Sequence, residues 1–130
     1  MRPALNRPTD VELSILRVLW TLGPATVRQV HEAICEERGV NLAYTAVLKM
    51  MQTMVDKGLL VRDERDRSHV YRPAQAREHT LRHMLDDLLD RAFGGSALEL
   101  VATALSDRKL APAEREEVAK LLARAKEKTR

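Results

Sequence analysis

A chain of 130 residues has room for one ordinary domain, or for two small ones that stabilise each other, and none for a large catalytic fold. Hydrophobic residues make up 45% of it but aromatics only 3%, so the core has to be built from Leu, Val, Ala and Met, which is the habit of helix packing. The net charge of +3 suits a polyanionic partner, yet it is spread evenly: 11 basic residues stand against 9 acidic ones up to Pro73, and 11 against 10 beyond. Neither half is a basic tail, so any affinity for nucleic acid must come from the placement of individual side chains. The single Cys35 excludes an internal disulfide and a Cys-rich metal site. Met1 to Asp10 carries no apolar leader, and nowhere is there a run of about 18 apolar residues, so a cytoplasmic location without a membrane partner is expected.

Thr9 and Glu12 form a capping box, followed by Val11, Leu13, Ile15, Leu16, Leu19 and Trp20 at helical spacing, which predicts a first helix over about 10–22 that Gly23 and Pro24 stop. A second capping box, Thr26 with Gln29, opens a helix with Val27, Val30, Ala33 and Ile34 inward, ended by Gly39. After a short link comes a third helix, about 43–57, with Gly58 at its end. Val47, Met50, Met51, Met54 and Val55 make its apolar face, while Thr45, Leu48, Lys49, Gln52 and Thr53 recur on the opposite side. Two helices, a tight link and a third helix with a polar, weakly charged outer face have the pattern of a helix-turn-helix.

Behind Gly58 the period changes. Leu59 to Glu64 reads as a strand, Arg65 to Ser68 as a charged turn, and His69 to Arg72 as a return strand before Pro73, together a wing with a basic tip. Residues 75–93 return to helical spacing, with Leu81, Met84, Leu85, Leu88, Leu89 and Phe93 on one side and Gly94 and Gly95 as a stop. Ser96 with Glu99 caps a further helix bearing Leu98, Leu100, Val101 and Leu105. Following a link from Ser106 to Ala111, Pro112 starts a last helix with Val118, Leu121 and Leu122 inward. The expected architecture is therefore mainly α: a winged helix-turn-helix over 1–73 and a three-helix unit over 74–130. Three short helices rarely bury enough surface to be stable alone. A second copy is the expected partner, with Leu81, Met84, Leu85, Leu88, Leu89, Leu98, Val101, Leu105, Leu121 and Leu122 at the interface.

The segments Glu12 to Trp20 (ELSILRVLW), Thr26 to Ala33 (TVRQVHEA), Leu42 to Val47 (LAYTAV), Lys57 to Val61 (KGLLV) and the wing's end at Tyr71, Arg72 and Pro73 stand in the order and spacing of one family. The chain resembles the penicillinase repressors of BlaI/MecI/CopY type over nearly its whole length. The resemblance implies a homodimer that binds a palindromic operator, represses antibiotic-resistance or stress genes and, in some members, is removed by a sensor protease. Three departures accompany it. Ala46, Lys49 and Thr53 stand where the family's third helix commonly has Thr, Thr and Arg, which implies a different operator. The Asn-Phe bond cut in β-lactam-responsive members has no match near Val101 to Ala104, and the Cys pairs of copper-responsive members are absent.

On this reading Thr45, Lys49 and Gln52 supply donors and acceptors to base edges, Leu48 meets a thymine methyl, and Thr53 extends the same face. Tyr44 anchors the start of the helix. Thr26 and Arg28 meet phosphate at the start of the second helix, and Arg65 and Arg67 do so from the wing. Trp20 and Tyr71 read as core. His79 and His83 stand four apart near Asp86 and Asp87, a spacing that more often marks a solvated helix face than a metal site, and Cys35 reads as a small buried apolar residue. No cofactor or metal is expected. The sequence lacks a phosphate loop, a nucleophile elbow and an HExxH motif, so an enzyme is not expected. The alternative is a winged-helix module that docks proteins and reads no DNA sequence.

Overall fold

The computed structural model describes residues 7–65, 67–106 and 110–128, which divide into two compact units, one ending at Met84 and one beginning at Leu85. The turn residue Asp66 and part of the link between Ser106 and Ala111 lie outside the described residues. In chain order the elements are α1 (Asp10–Leu22), β1 (Ala25–Thr26), α2 (Val27–Arg38), α3 (Tyr44–Asp56), β2 (Leu60–Asp63), β3 (Val70–Pro73), α4 (Arg77–Ala92), α5 (Ala97–Ser106) and α6 (Pro112–Lys128). Helix α4 begins in the first unit and ends in the second.

Both capping boxes are formed. The Glu12 amide donates to Thr9 Oγ1 at 3.3 Å and the Thr9 amide donates to Glu12 Oε1 at 2.9 Å; Gln29 and Thr26 repeat the exchange at the same two distances. Each box satisfies amides that a helix start otherwise leaves without partners. Helix α3 differs: its cap is Ala43, which has no side-chain oxygen to offer, and the helix starts one residue later than its apolar pattern suggests. At its other end Gly58 adopts φ +82°, so that the Gly58 amide donates to the Val55 carbonyl at 3.0 Å and the Leu59 amide to the Met54 carbonyl at 2.8 Å. That pair of bonds is a Schellman turn, which needs a left-handed residue here and sends the chain directly into β2.

The strands form one antiparallel sheet in the order β1-β3-β2. Pairing of β2 with β3 (Val61 with Arg72, Asp63 with Val70) is the wing inferred from the sequence. The two-residue β1 is an addition: Ala25 pairs with Tyr71 and Thr26 with Val70. Two residues give no readable alternation, so this strand is visible only through its partner.

One core joins these pieces. Ile15, Leu16 and Leu19 from α1, Val30 and Ile34 from α2, Val47, Met51 and Met54 from α3, Leu60 from β2 and Tyr71 from β3 are all buried. Each contributes roughly 1.5–3 kcal/mol by leaving water. Met51 and Met54 fill the space that a core short of aromatics leaves open. Trp20, read from the sequence as core, is half-buried at the edge of this cluster. Helices α4 and α5 contain no buried residue, and no described side chain of α6 is buried. The Glu99 amide donates to Ser96 Oγ at 3.1 Å, so the cap of α5 is present, and Pro112 is the first residue of α6.

Candidate nucleic-acid interface

Helix α3 sits with Val47, Met51 and Met54 inward, which turns Tyr44, Thr45, Lys49, Gln52 and Thr53 outward, all exposed. Leu48 is half-buried and packs on the core, so it offers only part of its side chain to a partner. The Thr53 hydroxyl donates to the Lys49 carbonyl at 3.0 Å and keeps its acceptor lone pairs free for a donor from outside. Sequence reasoning therefore identified the outward face of α3, with Leu48 as its least accessible member.

The start of α3 is held by His31, which sequence reasoning did not single out, together with Tyr44, read as the anchor of the helix start, and Cys35, read as a small buried apolar residue. His31 Nε2 lies 2.7 Å from the Leu42 carbonyl. A carbonyl only accepts, so Nε2 carries the proton. The same ring meets Tyr44 edge-on, with centroids 5.7 Å apart and planes at 76°. Cys35, one turn further along α2, places its Sγ 3.8 Å from the same carbonyl and is half-buried. With no side-chain cap at Ala43, this clamp on Leu42 fixes where the helix begins. The signal in the sequence was the i, i+4 spacing of His31 and Cys35 on α2, legible only once Leu42 is known to pass beside them.

The far end of α3 is tied to α1. Lys57 Nζ donates to Glu12 Oε1 at 2.7 Å, and Glu12 is 4% exposed. Burial pushes the Glu12 carboxyl up, but the Lys57 ammonium and the Thr9 amide together outweigh it and hold the group below its ordinary value. Arg17 with Glu37 at 3.4 Å, and Arg38 donating to Ser14 Oγ at 3.1 Å, link α1 to α2 on the outside.

Thr26 is committed to capping: its hydroxyl accepts from the Gln29 amide and donates to Gln29 Oε1. Arg28 beside it is exposed and makes no ion pair among the described residues. In the wing, Arg65 and Arg67 are exposed, as is Arg72 on β3. Arg65 is held by Asp63 at 3.0 Å, which raises the guanidinium and lowers the carboxyl from their usual values. Arg62 lies 3.1 Å from Glu64 and is raised by its contact with Tyr71. Part of the wing's positive charge is thus spent internally, leaving Arg67 and Arg72 as its freer cations among the described residues.

In the helical segments Leu85, Leu88, Leu98, Leu121 and Leu122 are exposed, Leu98 to 79%, and Leu81 stands at the margin; Met84, Leu89, Val101 and Leu105 are half-buried. The rings of His79 and His83 lie 4.5 Å apart on α4. Among the described residues no group of three or more His, Cys, Asp or Glu side chains is arranged to hold a metal ion, and no helix is long and apolar enough to cross a membrane.

Three helices on one core, a wing running directly from the third, and a polar exposed face on that third helix define a winged helix-turn-helix protein with an additional helical segment. The sequence profile of the penicillinase repressor family matches residues 8–124. The chain belongs to that family. Two proteins of Mycobacterium tuberculosis, each named transcriptional regulator BlaI, from strains CDC 1551 / Oshkosh and ATCC 25618 / H37Rv, are 37% identical to it over 89 residues. The aligned stretch covers 68% of this chain and 63% of each relative, so the chain matches just under two thirds of their length.

Proposed function

We propose that this chain is a homodimeric transcriptional repressor that binds an inverted-repeat operator in double-stranded DNA. One observation carries the reading: α3 turns Val47, Met51 and Met54 into the core and presents Thr45, Lys49 and Gln52 on the other side, with the wing cations Arg67 and Arg72 on the same unit. In the major groove Lys49 donates to guanine O6 and N7, Gln52 pairs with adenine N6 and N7, and Thr45 bonds a base or a phosphate. Arg28 and the first amides of α2 meet phosphate, as do Arg65 and Arg67 at the wing. Leu85 and Leu88 of α4, Leu98 of α5, and Leu121 and Leu122 of α6 are covered by a second copy. The domain roles follow: DNA binding by 1–73 and dimerisation by 74–130. Repression is by steric exclusion of polymerase from the operator, and the genes controlled are of the antibiotic-resistance or stress class. Removal by a sensor protease belongs to the same proposal, although this chain lacks the Asn-Phe bond.

The test is selection of bound fragments from random duplex DNA, followed by the salt dependence of the winners. An inverted repeat with half-sites about one helical turn apart and a steep salt slope is expected. Weak, salt-sensitive binding without enrichment would overturn the repressor and leave a winged-helix module that docks proteins.

A further inference from the structure

A groove of about 590 Å³ lies between α1, α2 and the first half of α4, within the first unit and away from the outward face of α3. Its floor is apolar, with Leu13, Trp20, Ala33, Leu81 and Met84, and its charged groups are Arg17, Glu37 and Arg77. Two features in it are unspent. The Trp20 Nε1–H is buried and has no acceptor among the described residues. Arg77 lies over the same indole, its guanidinium carbon 5.8 Å from the ring centre, and makes no ion pair among the described residues, whereas Arg17 is paired with Glu37. An uncommitted cation therefore stands beside an uncommitted donor at the edge of an apolar floor.

We propose that this groove binds a small organic carboxylate with an apolar body and acts as an effector site. The body lies on the indole, Leu81 and Met84, and the carboxylate takes the Arg77 guanidinium and the Trp20 N–H. Water solvates a cation well but serves a buried indole N–H poorly, and one carboxylate satisfies both groups by a charge-assisted bond and a neutral one. Nε1 is buried, so a carboxylate reaches it only once the side chains over it shift; Arg77, exposed and long, has its guanidinium carbon 5.8 Å from the centre of that ring and can follow the anion as they do. The groove's size is that of small-molecule sites, about 300–1,000 Å³. Arg77, Leu81 and Met84 belong to the helix that continues into the second unit, so an occupant bears on the element joining the two. The effector role rests on the DNA-binding reading; the site itself does not.

Trp20 is the only tryptophan, so its emission reports occupancy directly. The full-length chain is titrated by calorimetry and fluorescence with octanoate and phenylacetate, and with octanol and octylamine as neutral and cationic counterparts. A carboxylate is expected to bind and to shift the emission, with affinity reduced about tenfold for octanol and for Arg77→Gln. Trp20→Phe, followed by calorimetry, keeps the ring and loses the donor, and is expected to weaken binding about threefold, with an unchanged melting profile showing that the fold is intact. Arg115→Gln, an exposed position on α6 outside the groove, binds as the wild type does. No binding of either carboxylate up to about 10 mM, equal affinity for octanol or octylamine, or an Arg77→Gln variant that binds normally overturns the site. Affinity for the selected operator is then measured with and without octanoate: a change of about threefold or more supports the effector role, and no change at saturation overturns that role while leaving both the site and DNA binding in place.

Discussion

Glu12 does two jobs with one oxygen. Its Oε1 accepts from the Thr9 amide, which starts α1, and from Lys57 Nζ, which closes the end of α3. Glu12→Gln keeps the shape and removes the charge, leaving Lys57 facing a neutral amide in a largely buried place. A loss of about 1–3 kcal/mol is expected, read by chemical denaturation. The pair also sets a pH dependence. The carboxyl has a lower pKa folded than its ordinary 4.5, so its contribution is complete above that value and is lost as pH falls through the folded pKa. Wild-type and Glu12→Gln stabilities should therefore converge in acid and separate toward neutrality. Parallel curves across that range would show that the pair contributes nothing through its charge.

At the same scale, His31 donates to the Leu42 carbonyl just ahead of α3, whose own N-terminus has no side-chain cap. His31→Leu is expected to cost about 1–2 kcal/mol in stability and to weaken operator binding beyond its effect on random DNA, because the start of the reading helix loses its register. His31→Gln, whose amide can donate to the same carbonyl, should recover most of both. Equal loss of specific and random binding in His31→Leu would confine the residue to stability.

Between elements, the sequence was legible wherever a side chain announces a backbone event. Thr9 with Glu12, Thr26 with Gln29 and Gly58 mark helix ends through their own chemistry, and α1, α2 and α3 lie within a residue or two of where their caps and apolar stripes put them. Strand β1 was not legible, because its two residues form a strand only by pairing with Tyr71 and Val70, far along the chain. The Glu12–Lys57 and His31–Leu42 contacts were hidden for the same reason: each joins residues whose types have ordinary explanations locally. Leu48 shows the limit of helical spacing as a guide, for it recurs with the polar face yet half-buries itself at the margin of the core. Within the face that remains, Lys49→Ala is expected to weaken binding to the selected operator by about 1–3 kcal/mol and to relax preference at one base pair, with melting unchanged. Unaltered operator affinity would remove Lys49 from the interface.

For the molecule as a whole, the two units are built differently. The first has a closed core with Tyr71 at 1% exposure; in the helices beyond it Leu85, Leu88, Leu98, Leu121 and Leu122 stay at the surface. Leu85→Asp is expected to turn a dimer into a monomer in sedimentation and, by halving the number of contacts made at once, to lower operator affinity by about 10²-fold or more. A variant that stays dimeric would move the interface elsewhere. The wild type should also melt at a temperature that rises with protein concentration, a dependence that the Leu85→Asp variant loses.

The sheet order β1-β3-β2 has a consequence for how such proteins diverge. Because β1 leads straight into α2 and is hydrogen-bonded to β3, the entry of one helix and the stem of the wing form a single rigid bracket. Drift in sequence can therefore re-letter the face of α3 or remodel the wing tip, but it cannot slide the bracket's two arms apart. If the proposed DNA-binding reading holds, half-sites within a lineage sharing this sheet should change in spelling while keeping one footprint, and any change in the distance between them should trace to α4, α5 and α6.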